Sequence, residues 1–224
     1  MSKHMERDLE RLQRSILRMA GAVEEAIYQA TQALQNRDST RARLVIDGDG
    51  EIDRLENEVQ DECLKILALH QPVAVDLRRV SAVLLISTDL ERMGDLAVGI
   101  AERTASLAHP PHPTVPSRLA PMTLRVTEMV RRSLDAFVHL DPTAARAVIR
   151  LDDAVDEDNE AIIAELIAEM KAEPDRVESG MALFSAVRHL ERIADHATNI
   201  AEDVIYLVNG EIVRHHPEAL GEDR

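Results

Sequence analysis

The feature of this sequence that most restricts its fold is an internal repeat. Residues 89–103 align with residues 189–203 at an offset of 100 and are identical at eight of the fifteen positions. A second alignment, at an offset of 103, pairs residues 43–53 with residues 146–156. Because a repeat of this length is one supersecondary unit used more than once, each half of the chain is expected to build the same arrangement of elements.

The repeated element is helical. Hydrophobic residues recur with the 3.6-residue period of a helix through six long segments, and the composition agrees, because 45% of the residues are hydrophobic but only 2% are aromatic. Aliphatic cores of this kind favour helix over sheet. The sequence therefore predicts an all-α fold of two tandem three-helix bundles related by internal duplication, with helices over residues 4–36, 39–69, 75–108, 119–139, 142–172 and 177–209.

Start and stop signals separate these helices. Asp38 and Asp141 share the offset of 103 and are each predicted to cap the N-terminus of the helix that follows. Pro72 and Pro174 are each predicted to end a helix within their half of the chain. The predicted division is a first bundle over residues 4–108, a proline-rich linker over 109–118, a second bundle over 119–210 and a polar tail over 211–224.

Charge and cysteine content exclude several classes of function. The formal net charge is −15 and the chain has only four aromatic residues, which argues against binding nucleic acid. The longest apolar run, residues 82–86, is too short to span a membrane, and the first 18 residues lack the pattern of a signal peptide, so we expect a cytoplasmic protein without direct membrane insertion. Cys63 is the only cysteine, which excludes an internal disulfide and a site built from several thiolates.

Paired acids are the candidate functional groups. Each pair has its members four residues apart, so both side chains project from one face of a helix. The four pairs are Asp49/Asp53, Asp152/Asp156, Glu91/Asp95 and Glu191/Asp195.

The pairs of each half are predicted to meet at one level of a helical hairpin. Counted from Pro72, the acids of the first half lie 19 and 23 residues before it and 19 and 23 after it. Counted from Pro174, those of the second half lie 18 and 22 before and 17 and 21 after. Four carboxylates at one level repel one another, and hard cations such as Mg²⁺, Mn²⁺ or Ca²⁺ would relieve that repulsion, with iron or zinc possible where ions share ligands.

Two other interpretations stay open at this point. In one, the acids form a solvated face neutralised by Arg92 and Arg192, and the chain is a metal-free helical adaptor. In the other, it is a carboxylate-bridged metalloenzyme, although helical enzymes of that class use Glu-x-x-His, which the chain lacks. His189 and His196 turn away from the acidic stripe and are interpreted as surface histidines. No nucleophile elbow or phosphate-binding loop occurs, so no catalytic residue is predicted.

The duplicated layout, the Leu-Glu-Arg-x-x-Asp segments at 90–95 and 190–195, the Asp-x-x-x-Asp pairs and the run at 71–78 together resemble the PhoU family of bacterial phosphate-transport regulators. The resemblance implies a non-enzymatic cytoplasmic protein that represses phosphate uptake and the phosphate-starvation response. The partners it implies are a PhoR-type sensor kinase, a PstB-type transporter ATPase and a second copy of the chain in a homodimer.

The resemblance also implies multinuclear metal clusters of iron, zinc, manganese or magnesium. The positions matching the family's metal motif are Asp49, Asp53, Glu91, Asp95, Asp152, Asp156, Glu191 and Asp195. The halves differ beside these positions, because Gly99 stands where the second half has Asn199 and Asp89 where it has His189. The two sites are therefore expected to differ in affinity or nuclearity.

Overall fold

A computed structural model describes residues 3–107, 110 and 112–210. Over those ranges the chain is helical and contains no β-strand. The helices are α1 (Lys3–Asn36), α2 (Ser39–His70), α3 (Ala74–Ser106), α4 (Leu119–His139), α5 (Pro142–Ile149), α6 (Asp152–Ala172) and α7 (Val177–Asn209), with one 3-10 turn at Pro174–Arg176 before α7. The predicted fold class is confirmed. The predicted tail at 211–224 and parts of the predicted linker lie outside the described residues.

The two halves begin their second helices in the same way. The Asp38 carboxylate accepts hydrogen bonds from two backbone N–H groups in the first turn of α2, both at 3.0 Å. Asp141 does the same for α5, at 2.9 and 3.0 Å. The residues before them, Arg37 and Leu140, both adopt left-handed backbone conformations, with φ of 53° and 52°. The two predicted caps are confirmed, and the shared backbone turn is a second mark of the duplication.

The prediction of one continuous fifth helix is wrong. Helix α5 ends at Ile149 and α6 begins at Asp152, with a non-helical step between them. At that step Leu151 turns inward and packs against the hydrophobic core. The corresponding stretch of α2 contains Gly48 and Gly50 and remains helical. As a result Asp152 lies in the first turn of a helix, whereas Asp49 lies in the middle of one.

Helices α3 and α7 form the centre of the molecule and run antiparallel along their length. Near one end Arg78 Nε approaches the Leu207 carbonyl at 3.5 Å, and near the other Arg103 Nε donates to Ser185 Oγ at 3.1 Å. Helix α2 packs beside α3, and α6 packs beside α7. Helices α1 and α4 contact α3 and α7 respectively and also touch each other. This arrangement places α2 and α6, the outer helices of the two acidic hairpins, beside the central pair of α3 and α7.

The core between these helices is aliphatic, as the composition predicts. Cys63 is fully buried in it, with Sγ 3.8 Å from the Val80 carbonyl oxygen. Burial raises the pKa of the Cys63 thiol to about 12, so the group remains a protonated, unreactive core side chain. In the part of the chain that the structure describes, no helix is long and apolar enough to cross a membrane.

Candidate metal sites on the paired helices

The structure brings the predicted acids together in two groups of four. We call the group on α2 and α3 the first carboxylate site and the group on α6 and α7 the second carboxylate site. Each acid is exposed or half-buried at the surface of its hairpin, so the prediction that these side chains lie outside the core agrees with the structure. The first site holds Asp49, Asp53, Glu91 and Asp95, and the second holds Asp152, Asp156, Glu191 and Asp195.

In the first carboxylate site the acids influence one another across the two helices. Burial raises the pKa of Asp49, and the negative charges of Asp53 on the same helix and Asp95 on α3 raise it further. The pKa of Glu91 is likewise raised by burial, then by Asp95, Glu56 and Asp53, against an opposing effect of Arg92. Asp49 and Glu91 therefore lie in surroundings that disfavour their charged forms.

Glu56 is a member of the first site that the sequence analysis missed. Its pKa is raised by burial and by Asp53 and Asp95, while a hydrogen bond from the Thr88 hydroxyl lowers it. The signal was present, because Glu56 follows Asp49 by seven residues and Asp53 by three, the spacing of one helical face. A search restricted to pairs four residues apart could not find it.

The second carboxylate site is more strongly perturbed. Burial, followed by the charges of Asp195, Asp156, Asp153 and Glu191, raises the pKa of Asp152 from its usual 3.8 to about 7. Among these charges, the largest single contribution comes across the hairpin, from Asp195 on α7. At neutral pH the charged form of Asp152 is therefore disfavoured in the absence of a cation.

Glu191 of the second site is partly satisfied by a neighbour. Its Oε1 accepts a hydrogen bond from Arg188 Nη1 at 3.0 Å. Its other oxygen, Oε2, is buried and has no hydrogen-bond partner within the described structure. Burial and Asp195 raise the pKa of Glu191 despite the opposing charge of Arg188. A buried carboxylate oxygen without a donor is costly, and a cation would satisfy it.

The interpretation of the two histidines as surface residues is wrong. His196 is 8% exposed, and its Nδ1 lies 2.7 Å from Asp89 Oδ1, which also accepts from Asn199 Nδ2 at 3.2 Å. His189 is half-buried on the same helix, where a Cβ added at Gly99 would lie 2.9 Å from its Nε2. Both histidines therefore join α3 to α7. Helical-wheel reasoning on one isolated helix could not reveal this partner helix.

The donor set of each site fits a hard cation in its chemistry. Carboxylate oxygens are the preferred ligands of Mg²⁺, Mn²⁺ and Ca²⁺, and both sites supply several. Within residues 3–107, 110 and 112–210, however, no three acidic, histidine or cysteine side chains are arranged to hold an ion as they stand. Binding would therefore require the carboxylates to adopt other rotamers. The exposed Arg92 and Arg192 contribute opposing positive charge near Glu91 and Asp195 respectively.

The comparisons with known proteins agree with the duplicated architecture. The family model described as the PhoU domain matches this chain twice, over residues 16–104 and 119–204. A protein from Aquifex aeolicus named phosphate-specific transport system accessory protein PhoU homolog is 42% identical over 209 residues, covering 93% of this chain and 95% of that protein. A homologue of the same name from a Burkholderia species is 36% identical and covers 100% of this chain and 97% of its own length.

A solved structure supports the same relationship. The crystal structure of PhoU from Pseudomonas aeruginosa superimposes with a TM-score of 0.89 at 36% sequence identity, covering 92% of this chain and 99% of that one. The two acidic hairpins lie within the two matched family domains, so the sites belong to the shared architecture and not to an added segment. The full-length relatives, the two domain matches and the shared fold together show that the chain belongs to the PhoU family.

Proposed function

We propose that this protein is a cytoplasmic accessory regulator of phosphate transport that represses phosphate uptake and the phosphate-starvation response. The observation that carries the proposal is the match, over both halves and nearly the whole chain, to proteins named as phosphate-specific transport system accessory proteins. The proposed partners are a PhoR-type sensor kinase, a PstB-type transporter ATPase and a second copy of the chain in a homodimer.

The surface position of the carboxylate sites supports a regulator over an enzyme. The acids lie on the outer faces of two hairpins, whereas a carboxylate-bridged enzyme of the helical-bundle type encloses its metal among inward-facing ligands. The family itself is one of accessory proteins, as the names of the relatives state. We therefore treat the chain as non-enzymatic.

Metal binding at the two carboxylate sites is part of the proposal. Burial, reinforced by mutual repulsion, raises the pKa values of Asp49, Glu91, Asp152, Glu191 and Asp195, and this supports it. A bound cation would hold these groups ionised and would satisfy the buried oxygen of Glu191. Iron, zinc, manganese and magnesium are the candidate ions, and in each case the carboxylates would be the ligands.

The regulatory role is tested in cells that lack their own PhoU. Expression of this chain should restore repression of a phosphate-starvation reporter in high phosphate, and purified protein should bind the cytoplasmic part of a PhoR-type kinase and a PstB-type ATPase. A reporter that remains fully induced, with normal expression of the chain, would contradict the proposed repression.

The metal sites are tested by elemental analysis of purified protein. The double variant Glu191→Ala plus Asp195→Ala should lose the metal of the second carboxylate site while its circular dichroism remains that of a folded bundle. A matched control is Glu6→Ala plus Glu10→Ala, which removes two exposed acids with the same spacing from α1. Equal metal content in wild type, test and control proteins would disprove the assignment of the second site without affecting the regulatory proposal.

A further inference from the structure

The first half carries an open hollow at the seam between α1 and α2. Its volume is about 360 Å³, and its floor includes Val98 of α3. One wall is formed by Ala22 and Ala26 of α1, and the other by Gly48 and Ile52 of α2. Because these wall residues recur every four positions, the hollow runs along the helices as a groove.

The groove exists because two small residues stand where the second half has large ones. At the offset of 103, Ala26 corresponds to Met129 and Gly48 corresponds to Leu151. Met129 is fully buried, and Leu151 packs against the core. The second half therefore fills the equivalent seam with its own side chains, whereas the first half leaves that volume to solvent.

The groove could be filled without strain. A Cβ added at Gly48 would meet no atom within 4 Å. Leaving the space open has a cost, because glycine within a helix is less favourable than alanine by about 1 kcal/mol and the lining apolar atoms lose packing partners. Leu44, at the edge of the groove, is 69% exposed. A large exposed leucine beside an unfilled apolar groove is typical of a surface that packs against another molecule.

The charges around the groove are of one sign. The polar lining side chains include Glu25, Asp49 and Glu51, and none of the described residues that line it is basic. Glu51 is held by Arg54, which lies outside the lining. Glu25 accepts a hydrogen bond from Gln29 at 2.5 Å, and Asp49 lies in the repulsive field of Asp53 and Asp95. The groove therefore combines an apolar floor with an acidic edge.

We propose that this groove is a docking site for a basic amphipathic helix of a partner protein, which inserts one bulky aliphatic side chain between Ala26 and Gly48 and places lysine or arginine beside Glu25 on the acidic edge. A groove between two antiparallel helices accepts a third helix by ridge-into-groove packing. The wall from Ala22 to Gln29 spans about 10 Å at 1.5 Å per residue, enough for two turns of such a helix. The acidic edge selects a basic partner over an acidic one.

The test uses the residues of the second half to fill the groove of the first. The filled variant is Ala26→Met plus Gly48→Leu. Its matched control is Gly21→Met plus Gly50→Leu, which adds the same two side chains to the same two helices at positions that do not line the groove and where a Cβ meets no atom within 4 Å. The single variant Gly48→Leu serves if the double variant does not fold.

The probes are two labelled synthetic helical peptides with leucine on one face, one carrying lysine on the other face and one carrying glutamate. Fluorescence anisotropy is measured on the full-length protein in chelator at physiological salt. We expect the lysine peptide to bind the wild type and the control equally and the filled variant at least tenfold more weakly, and the glutamate peptide not to bind.

Equal binding of the lysine peptide to the filled and control variants would overturn the proposal, because it would show attraction to the net charge and not to the groove. Absence of binding to the wild type would overturn it as well. Methyl resonances provide a readout that needs no variant, since the lysine peptide should shift those of Ile52 and Val98. Shifts confined to other methyl groups would place the peptide elsewhere and contradict the assignment.

Discussion

The two carboxylate sites occupy equivalent positions in the two halves, but their surroundings differ. At the position of Glu56 in the first site, the second half has Asn159, and at the position of Thr88 it has Arg188. The first site therefore gains an additional acid, whereas the second gains an arginine that binds Glu191. Despite that arginine, the strongest pKa shift is in the second site. Asp152 is more deeply buried than Asp49 and has four acidic neighbours that raise its pKa, whereas Asp49 has two.

A second contrast lies beneath the sites. Leu55 of α2 is buried in the first core, and its counterpart in the second half is Asp158, which is only 5% exposed. Asp158 is paired with Arg118 at 3.2 Å and with Arg125 of α4. One half therefore uses an aliphatic contact where the other uses a buried ion pair. Duplication preserved the helical framework while the chemistry of individual positions diverged.

The largest expected effect comes from breaking that ion pair. Arg118→Ala plus Arg125→Ala leaves the Asp158 carboxylate buried without a counter-charge, and we expect the free energy of unfolding to fall by about 3 kcal/mol. Adding Asp158→Leu, the residue type of the first half, should recover most of the loss, because an apolar side chain does not need the arginines. Urea unfolding of the three proteins measures both changes.

The control for this prediction is Arg131→Ala on α4. Arg131 is paired with Glu128 at 2.9 Å on an exposed helical face, and such pairs contribute about 0–1 kcal/mol. If the double arginine variant were no less stable than this control, the pair at Asp158 would contribute nothing and the contrast between the two cores would be one of sequence only.

A smaller effect is expected at the contact between α3 and α7. Gly99→Asn introduces the residue of the second half, but its Cβ would lie 2.9 Å from His189 Nε2. We expect a loss of about 2 kcal/mol from overpacking. Adding His189→Asp, the residue of the first half, should relieve the clash and allow an Asp–Asn contact like that of Asp89 with Asn199. Thermal unfolding of the wild type, the single variant and the double variant measures both changes. A double variant no more stable than Gly99→Asn alone would contradict the predicted coupling between the two positions.

The sequence predicted the helical framework because the signals are local. Periodicity, the capping residues Asp38 and Asp141, and the prolines at 72 and 174 each act within a few residues, and five of the six predicted helices appear with nearly the predicted bounds. The break before Asp152 was missed because neither glycine nor proline marks it. Leu151, at the break, packs against the core, and only the folded arrangement shows this contact.

The candidate sites were predictable for a related reason. Counting residues from a hairpin turn gives the level of a side chain on both helices, so the eight paired acids could be placed. The positions of His189, His196 and Asp158 could not be predicted, because each depends on a contact with a helix distant in sequence. Packing between helices distant in sequence thus sets the positions of these three side chains, which the local pattern does not predict.

The smallest expected effect distinguishes the two carboxylate sites by pH. The pKa of Asp152 is about 7 in the folded chain and ordinarily 3.8. The stability that its protonated form contributes is therefore fully present below about pH 4 and is lost as the pH rises through 7. Asp152→Asn removes the repulsion. The metal-free variant should therefore be more stable than the wild type by about 1 kcal/mol at pH 8, after allowance for solvent screening, and equally stable at pH 4.

Asp49→Asn is the matched variant of the first site. Its gain in stability at pH 8 should be smaller, because Asp49 is less buried than Asp152 and its pKa rises less. Denaturant midpoints at pH 4 and pH 8, in chelator, measure both differences. Saturating metal should reverse the sign at Asp152, since the carboxylate would then be a ligand whose loss weakens binding. A gain at Asp49 equal to or larger than that at Asp152 would show that the inserted helix break does not make the second site the more strained of the two.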